Sequence, residues 1–497
     1  DPEMSRGLGD VYKRQVLLKA ISLVGLLIYF AVLLIAVTKE KKNHTVEDYF
    51  FAGRTLPFWA LSITFIASWW GAGSAISTAD LAYSDGLGAF WYYGVPVLLS
   101  TFLMILGAKG IRRVGYLTQG EMMSARYSPL AAKLLSVMIL VFMTLNAASQ
   151  MVGIGSFFGT YLGMNYEVAV LVGTGIVLIY SMFGGFRGVV LTDIIQFVLL
   201  AISALIVFIV AMVNSGGFDN IALAAEQAGK TGYVSFSAGA QKYMVYVITF
   251  GGAWVIQANV WQRISAARND KDARKMTVMS FFAYIPLYLM VVFTGMAGIT
   301  LFDKLPQGGV VTAIVTQYMN PVLGALVFVG ISAAIMSTMD SLINTGAMTL
   351  SIDLVGKKES EEKKLKFSRF ATLLVTAVAL LISLRIRSIL EISWMASDII
   401  TTGVFVPLVM GFFWKRGNSK GAVASMAVGI VYCLYNLIIG FGVQLPSFWE
   451  PQSALQVIFG VAMSLIVYVF VSLITPSETE KAEEFIKKSK GENTPRE

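Results

Sequence analysis

Apolar stretches long enough to cross a membrane recur along the whole chain, and they restrict its fold more than any other feature. A helix needs about 20 apolar residues to span the hydrocarbon core, where it satisfies its own backbone hydrogen bonds. Only 14% of the residues are charged, against about 25% in soluble domains. The sequence therefore predicts an all-α polytopic membrane protein with thirteen spans, at residues 16–38, 57–84, 88–109, 131–160, 166–184, 188–213, 241–262, 276–301, 321–352, 367–386, 388–414, 420–441 and 452–475.

Lysine and arginine residues fall mainly on one side of this map. With the N-terminus placed outside, the cytoplasmic segments hold 29 of them and the external loops hold 5, with Arg385 and Arg387 as the external pair that fits least well. The cytoplasmic loops of membrane proteins carry the excess of basic residues. We therefore predict a multi-pass protein of the plasma (inner) membrane with an external N-terminus and a cytoplasmic C-terminus.

Composition argues against several other classes of protein. A single cysteine, Cys433, and a single histidine, His44, allow neither an intrachain disulfide nor a site with several histidine or cysteine ligands. The cytoplasmic tail, 476–497, is short and charged, so no large soluble domain is predicted. Residues 1–15 do not match the apolar helix that follows, and we interpret them as a non-native scar. We expect no enzyme, no cofactor and no nucleic-acid partner; the lipid bilayer surrounds the spans.

The second predicted span contains glycines at membrane depth. In SITFIASWWGAGSAISTADLAY (62–83), Gly71 and Gly73 follow Trp69 and Trp70. Interrupted helices of this kind form substrate and ion sites near the midplane of secondary transporters. The alternative is a close helix-packing face, which also uses glycine.

A run of small and polar residues lies inside another span. In AAIMSTMDSLINT (333–345), Ala334, Ser337, Thr338 and Ser341 recur at helical spacing on one face, with Asp340 beside them. A charge near the bilayer centre costs about 2.5–3.5 kcal/mol, so such residues usually have a function. Hydroxyl and carboxylate oxygens suit a hard cation. The alternative, hydroxyls bonded to their own helix, leaves Asp340 without a role.

Further acids are predicted inside the membrane. In GGFRGVVLTDIIQF (184–197), Gly184 and Gly185 form a short inside turn with Arg187, and Asp193 lies in the following span. Asp193 could pair with Arg187 in a structural role, or it could face Asp340 and share a cation. The segment SWMASD (393–398) places another acid at depth.

Together these segments resemble the sodium:solute symporter family. The matching stretches are VEDYFFAGRTLPFWALSITFIAS (46–68), LTQGEMMSARY (117–127), GGFRGVVLTDIIQ (184–196), AAIMSTMDS (333–341) and GVFVPLVMGFFWKR (403–416). The resemblance implies the leucine-transporter fold, a five-plus-five inverted repeat, and sodium-coupled uptake by alternating access. It implies an extra N-terminal helix at 16–38, a first repeat at 57–213, a second repeat at 241–414, and two C-terminal helices within 420–475.

The resemblance also implies ion-binding residues, carried over position by position with Na+ as the coupling ion. For the main sodium site they are the carbonyls of Ala67, Trp70 and Ala334 and the hydroxyls of Ser337 and Thr338. A second sodium site, which some members use, maps to Asp193, Ser337, Asp340 and Ser341. Many members have a hydroxyl residue in place of Asp340, whose carboxylate could strengthen the second site or shift it toward proton sensitivity.

Within the family, the segments IASWWGAGSAISTADLAY (66–83), GGAWVIQANVWQR (251–263) and SWMASD (393–398) are most similar to the branch that contains choline transporters. A cage for a quaternary ammonium group needs several aromatic rings. Asn146 and Ile256 stand at about the positions where that branch has tryptophans. Trp69 fits such a cage, whereas the polar Gln257 and Asn259 could orient an amino acid or a carboxylate. We therefore predict a substrate that is an amino acid, a carboxylate or a quaternary amine. The residues predicted to contact it are Trp69, Gly71, Gly73, Ser74, Gln150, Gln257, Asn259, Trp394 and Asp398.

Two alternatives to a sodium symporter stay open from the sequence. Asp193 and Asp340 could relay protons in a proton-coupled symporter. The chain could also be a substrate sensor that keeps the transporter fold, although such sensors usually need a signalling domain, which the tail is too short to hold. A channel would show a pore-lining repeat or a ring of charges, and we find neither in the sequence.

Overall fold

Helices form the whole described architecture of the chain. The computed structural model describes residues 2–38, 45–355, 361–440, 444, 446, 450 and 453–492, and these contain no strand; His44 lies outside them. Ten helical stretches among them are long and apolar enough to cross a membrane, and they match ten of the thirteen predicted spans. The predicted spans at 57–84, 166–184 and 388–414 consist of shorter pieces, so the count of thirteen stays a prediction.

Eight of the long helices run without interruption. They are α1 (Pro2–Thr38), α5 (Phe90–Val114), α7 (Pro129–Leu162), α12 (Asp270–Leu301), α14 (Pro321–Met348), α15 (Glu361–Arg385), α18 (Ser419–Gly440) and α19 (Ala454–Ile474).

Four further helical units are interrupted. The first consists of α3 (Phe58–Ala67), a π-helical turn (Gly73–Ser77) and α4 (Thr78–Asp85). The others are α8 (Tyr166–Ser215), which is kinked at Gly185, α10 (Ala238–Val255) with α11 (Ala258–Ser265), and α16 (Ile389–Gly403) with α17 (Phe405–Met410).

Short helices make up the rest of the secondary structure. They are α2 (Val46–Phe51), α6 (Gln119–Arg126), α9 (Phe218–Gln227), α13 (Val310–Tyr318) and α20 (Thr479–Lys490), with 3-10 turns at Ala52–Arg54 and Gly86–Ala89 and a π-helical extension of α14 at Thr349–Val355.

Helix α14 is the centre of the bundle. Every residue from 327 to 349 is buried, and the helix packs against α1, α7, α8 and α15. Its start follows from local sequence, because the Asn320 side chain accepts a hydrogen bond from the Leu323 N–H (2.9 Å) and Pro321 occupies the first helical position. The polar face predicted at 334–341 therefore lies inside the protein and not against lipid.

The interruptions follow the predictions only in part. The break after Ala67 agrees with the prediction from glycines at depth, and Gly185, with a φ of 54°, agrees with the predicted turn. The break between Val255 and Ala258 was not predicted, because 241–262 was treated as one span. Each predicted repeat thus begins with an interrupted helix, although the division into repeats stays a prediction.

The two ends of the described chain also contact the bundle. The Arg14 guanidinium donates to the Met319 carbonyl and, at 3.2 Å, to that of Gln317. This arginine belongs to the segment interpreted as a scar, whose origin stays a prediction. At the other end, Phe485 of α20 packs edge-on against Phe412, with ring centroids 5.2 Å apart.

We predict that Phe485→Ala releases α20 from its contact with Phe412, because this ring is 5% exposed and is the largest apolar anchor of the helix. Limited proteolysis should then cleave after Thr475 several-fold faster than in the wild type. Phe413→Ala is the matched control, since Phe413 is 74% exposed. Equal cleavage of the two variants would contradict the docking of α20.

Candidate functional site

The chain between α3 and the π-helical turn is the first part of the site. Helix α3 ends at Ala67 and regular helical structure resumes at Gly73. The Thr338 hydroxyl lies within hydrogen-bond distance of the carbonyl oxygens of Ala67 (3.1 Å) and Ala334 (3.3 Å). The structure therefore brings together three of the five predicted sodium ligands, from two helices.

The other two predicted sodium ligands are Ser337, which precedes Thr338 in α14, and Trp70, which lines a small cavity together with Ala334. Ser337 is fully buried, and its hydroxyl donates to Asp193. Trp70 belongs to the unwound segment and is buried, with its ring centroid 4.7 Å from that of Tyr288. Oxygen atoms of α14 and α8 thus converge near the unwound segment, and oxygen is the ligand that hard cations prefer.

Asp193 is a buried acid held by three other helices. Its carboxylate accepts hydrogen bonds from Thr64 of α3, from Ser337 of α14 and from Arg263 of α11, whose Nη2 lies 3.3 Å from Oδ2. Neither side chain of the Asp193–Arg263 pair is exposed. A buried acid without a cation would be strongly unfavourable, so this ion pair stabilises the arrangement of the four helices.

Arg263 connects two members of the predicted second sodium site, Asp193 and Ser341. Its Nη2 is 2.7 Å from the Ser341 hydroxyl oxygen. Arg187, the predicted alternative partner of Asp193, donates instead to the Thr55 hydroxyl (2.7 Å). The predicted span 241–262 ends just before Arg263, so this arginine was counted among the cytoplasmic basic residues. In the structure α11 extends to Ser265 and the Arg263 side chain is buried.

Asp340 is a second buried acid with an unused oxygen. Ser181, in the first half of α8, donates to Oδ1 of Asp340. Its Oδ2 is buried and has no hydrogen-bond partner among the described residues. If Asp193, Asp340 and Arg263 are all ionised, the cluster has a net charge of −1, which one monovalent cation would neutralise.

Trp69 joins two of the interrupted units, α3 with α4 and α10 with α11, which we call the first and the second broken helix. Its indole N–H donates to Gln257 Oε1 (2.7 Å), in the break between α10 and α11. The Trp69 ring lies 5.9 Å from Trp254 and 6.1 Å from Tyr284, centroid to centroid, and Trp254 stacks on Phe250 at 5.0 Å. These rings form an aromatic wall beside the predicted substrate position.

The predicted glycines are tightly packed in this structure. A Cβ at Gly71 would lie 2.2 Å from Gln150 Oε1, and a Cβ at Gly73 would lie 2.4 Å from the Tyr93 hydroxyl oxygen. The same Gln150 oxygen accepts a hydrogen bond from the Ala72 N–H (2.9 Å). The glycines therefore allow close packing at the break, and their part in a substrate or ion site stays a prediction.

Two other predicted substrate residues lie on the broken helices. The Ser74 and Tyr288 hydroxyl oxygens are 2.8 Å apart. Asn259 is fully buried in α11, and neither its amide oxygen nor its amide nitrogen has a partner among the described residues. A buried amide without hydrogen bonds costs about 1–3 kcal/mol. Asn259 is thus a strong candidate to be completed by a bound solute.

The predicted residues of α16 point to other neighbours. Trp394 packs edge-on against Tyr246, with ring centroids 5.7 Å apart. The Asp398 carboxylate has the Cys433 thiol of α18 as its hydrogen-bond partner (3.5 Å), and not a residue of the two broken helices. The structure therefore does not bring Asp398 into contact with Trp69, Gln257 and their neighbours.

A model of the sodium:solute symporter family matches residues 49–429. The chain belongs to this family. It is 24% identical to the sodium/glucose cotransporter of Vibrio parahaemolyticus, over 90% of this chain and 89% of that protein. It is also 24% identical to high-affinity choline transporter 1 of Caenorhabditis elegans, over 79% of this chain and 72% of that protein.

A solved structure confirms the fold expected for this symporter. The substrate-bound, outward-open state of a Na+-coupled sialic acid symporter superposes with a TM-score of 0.79 at 20% identity, covering 92% of this chain and 98% of that one. Together with the two broken helices, this likeness supports the leucine-transporter fold.

Three residues that donate hydrogen bonds to Asp193 or Asp340 were not predicted from the sequence. They are Thr64, Ser181 and Arg263. Thr64 precedes Ala67 by one helical turn, and Arg263 ends the segment GGAWVIQANVWQR. The signal for Arg263 was present, because two acids predicted inside the membrane require a cation nearby.

We predict that Arg263→Met lowers the free energy of unfolding by about 3–5 kcal/mol, because it leaves the Asp193 carboxylate buried without a cation. Thermal unfolding of the purified symporter in detergent measures this loss. Adding Asp193→Asn to the variant should restore much of the stability, since it removes the uncompensated charge.

Arg187→Met is the control for this prediction, because Arg187 follows the kink of α8 at Gly185 and donates to Thr55 and not to Asp193. If Arg263→Met destabilised the protein no more than Arg187→Met, the ion pair would not hold the central helices together.

Proposed function

We propose that this symporter takes up a small organic solute using sodium that binds between the unwound segment after α3 and helix α14. The contact between the Thr338 hydroxyl and the Ala67 carbonyl (3.1 Å) carries this proposal. The last carbonyls of a helix have no partner within it, so they are available to a cation. The proposed ligands are the carbonyls of Ala67, Trp70 and Ala334 and the hydroxyls of Ser337 and Thr338.

Coupling follows from the different affinities of the two transport states for sodium. A sodium ion bridges carbonyl oxygens that otherwise repel one another, and so favours the outward-open arrangement. The solute then binds at residues 69–74 and the outer side closes. The inward transition separates α14 from the broken helix, and the loss of carbonyl ligands releases the ion to the cytoplasm.

The substrate class is proposed from the chemistry of the site. The aromatic wall of Trp69, Trp254 and Phe250 suits a quaternary amine. The Asn259 amide, which has no partner, suits the polar group of an amino acid or a carboxylate. Asp398 is left out of the proposed substrate site because its partner is Cys433. A thermal-shift screen of small solutes, run in sodium and in choline-free potassium, distinguishes these classes.

The orientation in the membrane is also a proposal. The 29-to-5 distribution of basic residues supports an external N-terminus and a cytoplasmic C-terminus in the plasma (inner) membrane. Moving Arg263 from a loop to the interior changes this distribution by one residue only. Solute uptake is then directed from the outside to the cytoplasm.

We predict that Ser337→Ala and Thr338→Ala each raise the half-maximal sodium concentration about tenfold, which corresponds to about 1.4 kcal/mol of sodium affinity. A sodium titration of the intrinsic tryptophan fluorescence at constant temperature measures this concentration without a known substrate. Trp69 and Trp70 lie in the unwound segment beside the proposed site, and the signal saturates when the site is full. Substrate affinity at saturating sodium should change much less.

Ser332→Ala is the matched control for both variants. Ser332 is fully buried on the same helix, but its hydroxyl donates to its own helix at the Phe328 carbonyl (2.7 Å). A loss of substrate binding at saturating sodium as large as the loss of sodium affinity would count against the proposed ligands.

A second cation is proposed at Asp193, Ser337, Asp340 and Ser341. It is supported by the unpartnered Oδ2 of Asp340 and by the net charge of −1 that the cluster has when Asp193, Asp340 and Arg263 are all ionised. Because Arg263 already binds Asp193 and Ser341, Asp340 is the acid with an oxygen to offer. The cation can be sodium or, in a proton-coupled variant of the mechanism, a proton.

We predict that Asp340→Asn lowers the Hill coefficient of the sodium titration from about two to about one if the second cation is sodium. If the cation is a proton, the same variant should abolish the pH dependence of substrate binding and leave the Hill coefficient unchanged. Wild-type behaviour in both measurements would refute a cation at Asp340.

A further inference from the structure

Gln150 of α7 accepts a hydrogen bond from a backbone N–H at the break of the first broken helix. An N–H group at the start of a helical segment has no partner within that segment. The Gln150 side chain supplies one, because its Oε1 lies 2.9 Å from the Ala72 nitrogen. The side chain is only 7% exposed, so water cannot readily replace this bond.

The same contact presses the unwound segment against α14. A Cβ at Gly71 would lie 2.2 Å from Gln150 Oε1 and 3.1 Å from Thr338 Cγ2, so side chains of α7 and α14 both reach this glycine. One turn along α7, a Cβ at Gly153 would lie 2.3 Å from the Ala72 Cβ. The segment is therefore clamped between α7 and α14, and Gln150 is the polar part of the α7 side.

We propose that Gln150 is a positioning residue that sets the sodium affinity of the symporter. This inference rests on the proposed sodium site, whose carbonyl ligands at Ala67 and Trp70 flank the clamped segment. A site whose ligands are held in place before binding loses less conformational freedom when the ion arrives, and so binds it more tightly. Gln150 holds the segment next to Thr338 and thereby forms the ligand set in advance.

This role differs from the substrate contact predicted for Gln150 from the sequence. The amide oxygen is engaged by Ala72, and the amide nitrogen donates to the Ser149 hydroxyl (3.2 Å). In this structure both polar ends of the side chain are bound to the protein. Gln150 therefore acts on sodium through the backbone of the break and does not contact the ion itself.

The test is a sodium titration of the intrinsic tryptophan fluorescence at constant temperature for three variants of the full chain. Gln150→Met keeps the size of the side chain but removes the acceptor, and should raise the half-maximal sodium concentration about tenfold. Gln150→Glu keeps an acceptor for the Ala72 N–H, and its half-maximal concentration should be equal to or below that of the wild type. Gln150→Asn keeps an amide but is one methylene too short to reach the Ala72 N–H. It takes the place of Gln150→Met if that variant folds poorly, and the same rise in the half-maximal sodium concentration is expected.

A purely structural role would not move the sodium midpoint. Gln456→Met is the matched control, because Gln456 is also buried but lies on α19, outside the sodium site. It should lower the unfolding temperature without shifting the sodium midpoint. A midpoint within twofold of the wild type for Gln150→Met, or an equal shift for Gln150→Glu, would overturn the inference.

The outcome also separates this inference from the proposed function. If Ser337→Ala shifts the sodium midpoint and Gln150→Met does not, the sodium site stands and only the positioning role fails. If neither variant shifts it, the proposed sodium site fails as well.

Discussion

The ion pair between Asp193 and Arg263 is the interaction on which the centre of this symporter depends. It joins α8 to α11, and through Thr64 and Ser341 it also ties in α3 and α14. Helices α3 and α11 are the N-terminal half of the first broken helix and the C-terminal half of the second. Because a separated buried charge costs several kcal/mol, any motion of these halves must keep the pair together or supply another cation.

The breaks themselves need partners, because a polar backbone group in the membrane must be satisfied by the protein. Thr338 and Gln150 serve the first break, and Gln119 of α6 serves the second by donating to the Ile256 carbonyl (2.8 Å). Asp80 adds a contact on the other half of the first helix, since its Oδ1 accepts from the Val310 N–H (2.8 Å) at the start of α13. Each broken helix is thus anchored at its break and beyond it, and alternating access requires some of these anchors to exchange partners.

The sequence allowed the fold to be predicted further than the site. Apolar length located the spans, glycines at depth located the first break, and the spacing of Ala334, Ser337 and Thr338 located the polar face of α14. The second break escaped prediction because its residues, Ile256 and Gln257, include neither glycine nor proline. Hydrogen bonds from Trp69 and Gln119 support it, and both come from distant parts of the chain.

The sequence by itself determined that this is a membrane transporter, which residues are polar at membrane depth, and which family the chain belongs to. It could do so because hydrophobic length, residue type and local motif are all properties of residues that are neighbours in the sequence. Only the tertiary structure decided which buried groups meet. Asp193 pairs with Arg263, 70 residues away, and not with the nearby Arg187; Asp398 meets Cys433 and not the broken helices. These partners depend on how each helix is rotated and where it is placed against its neighbours, and the periodicity of a single helix contains no information about either.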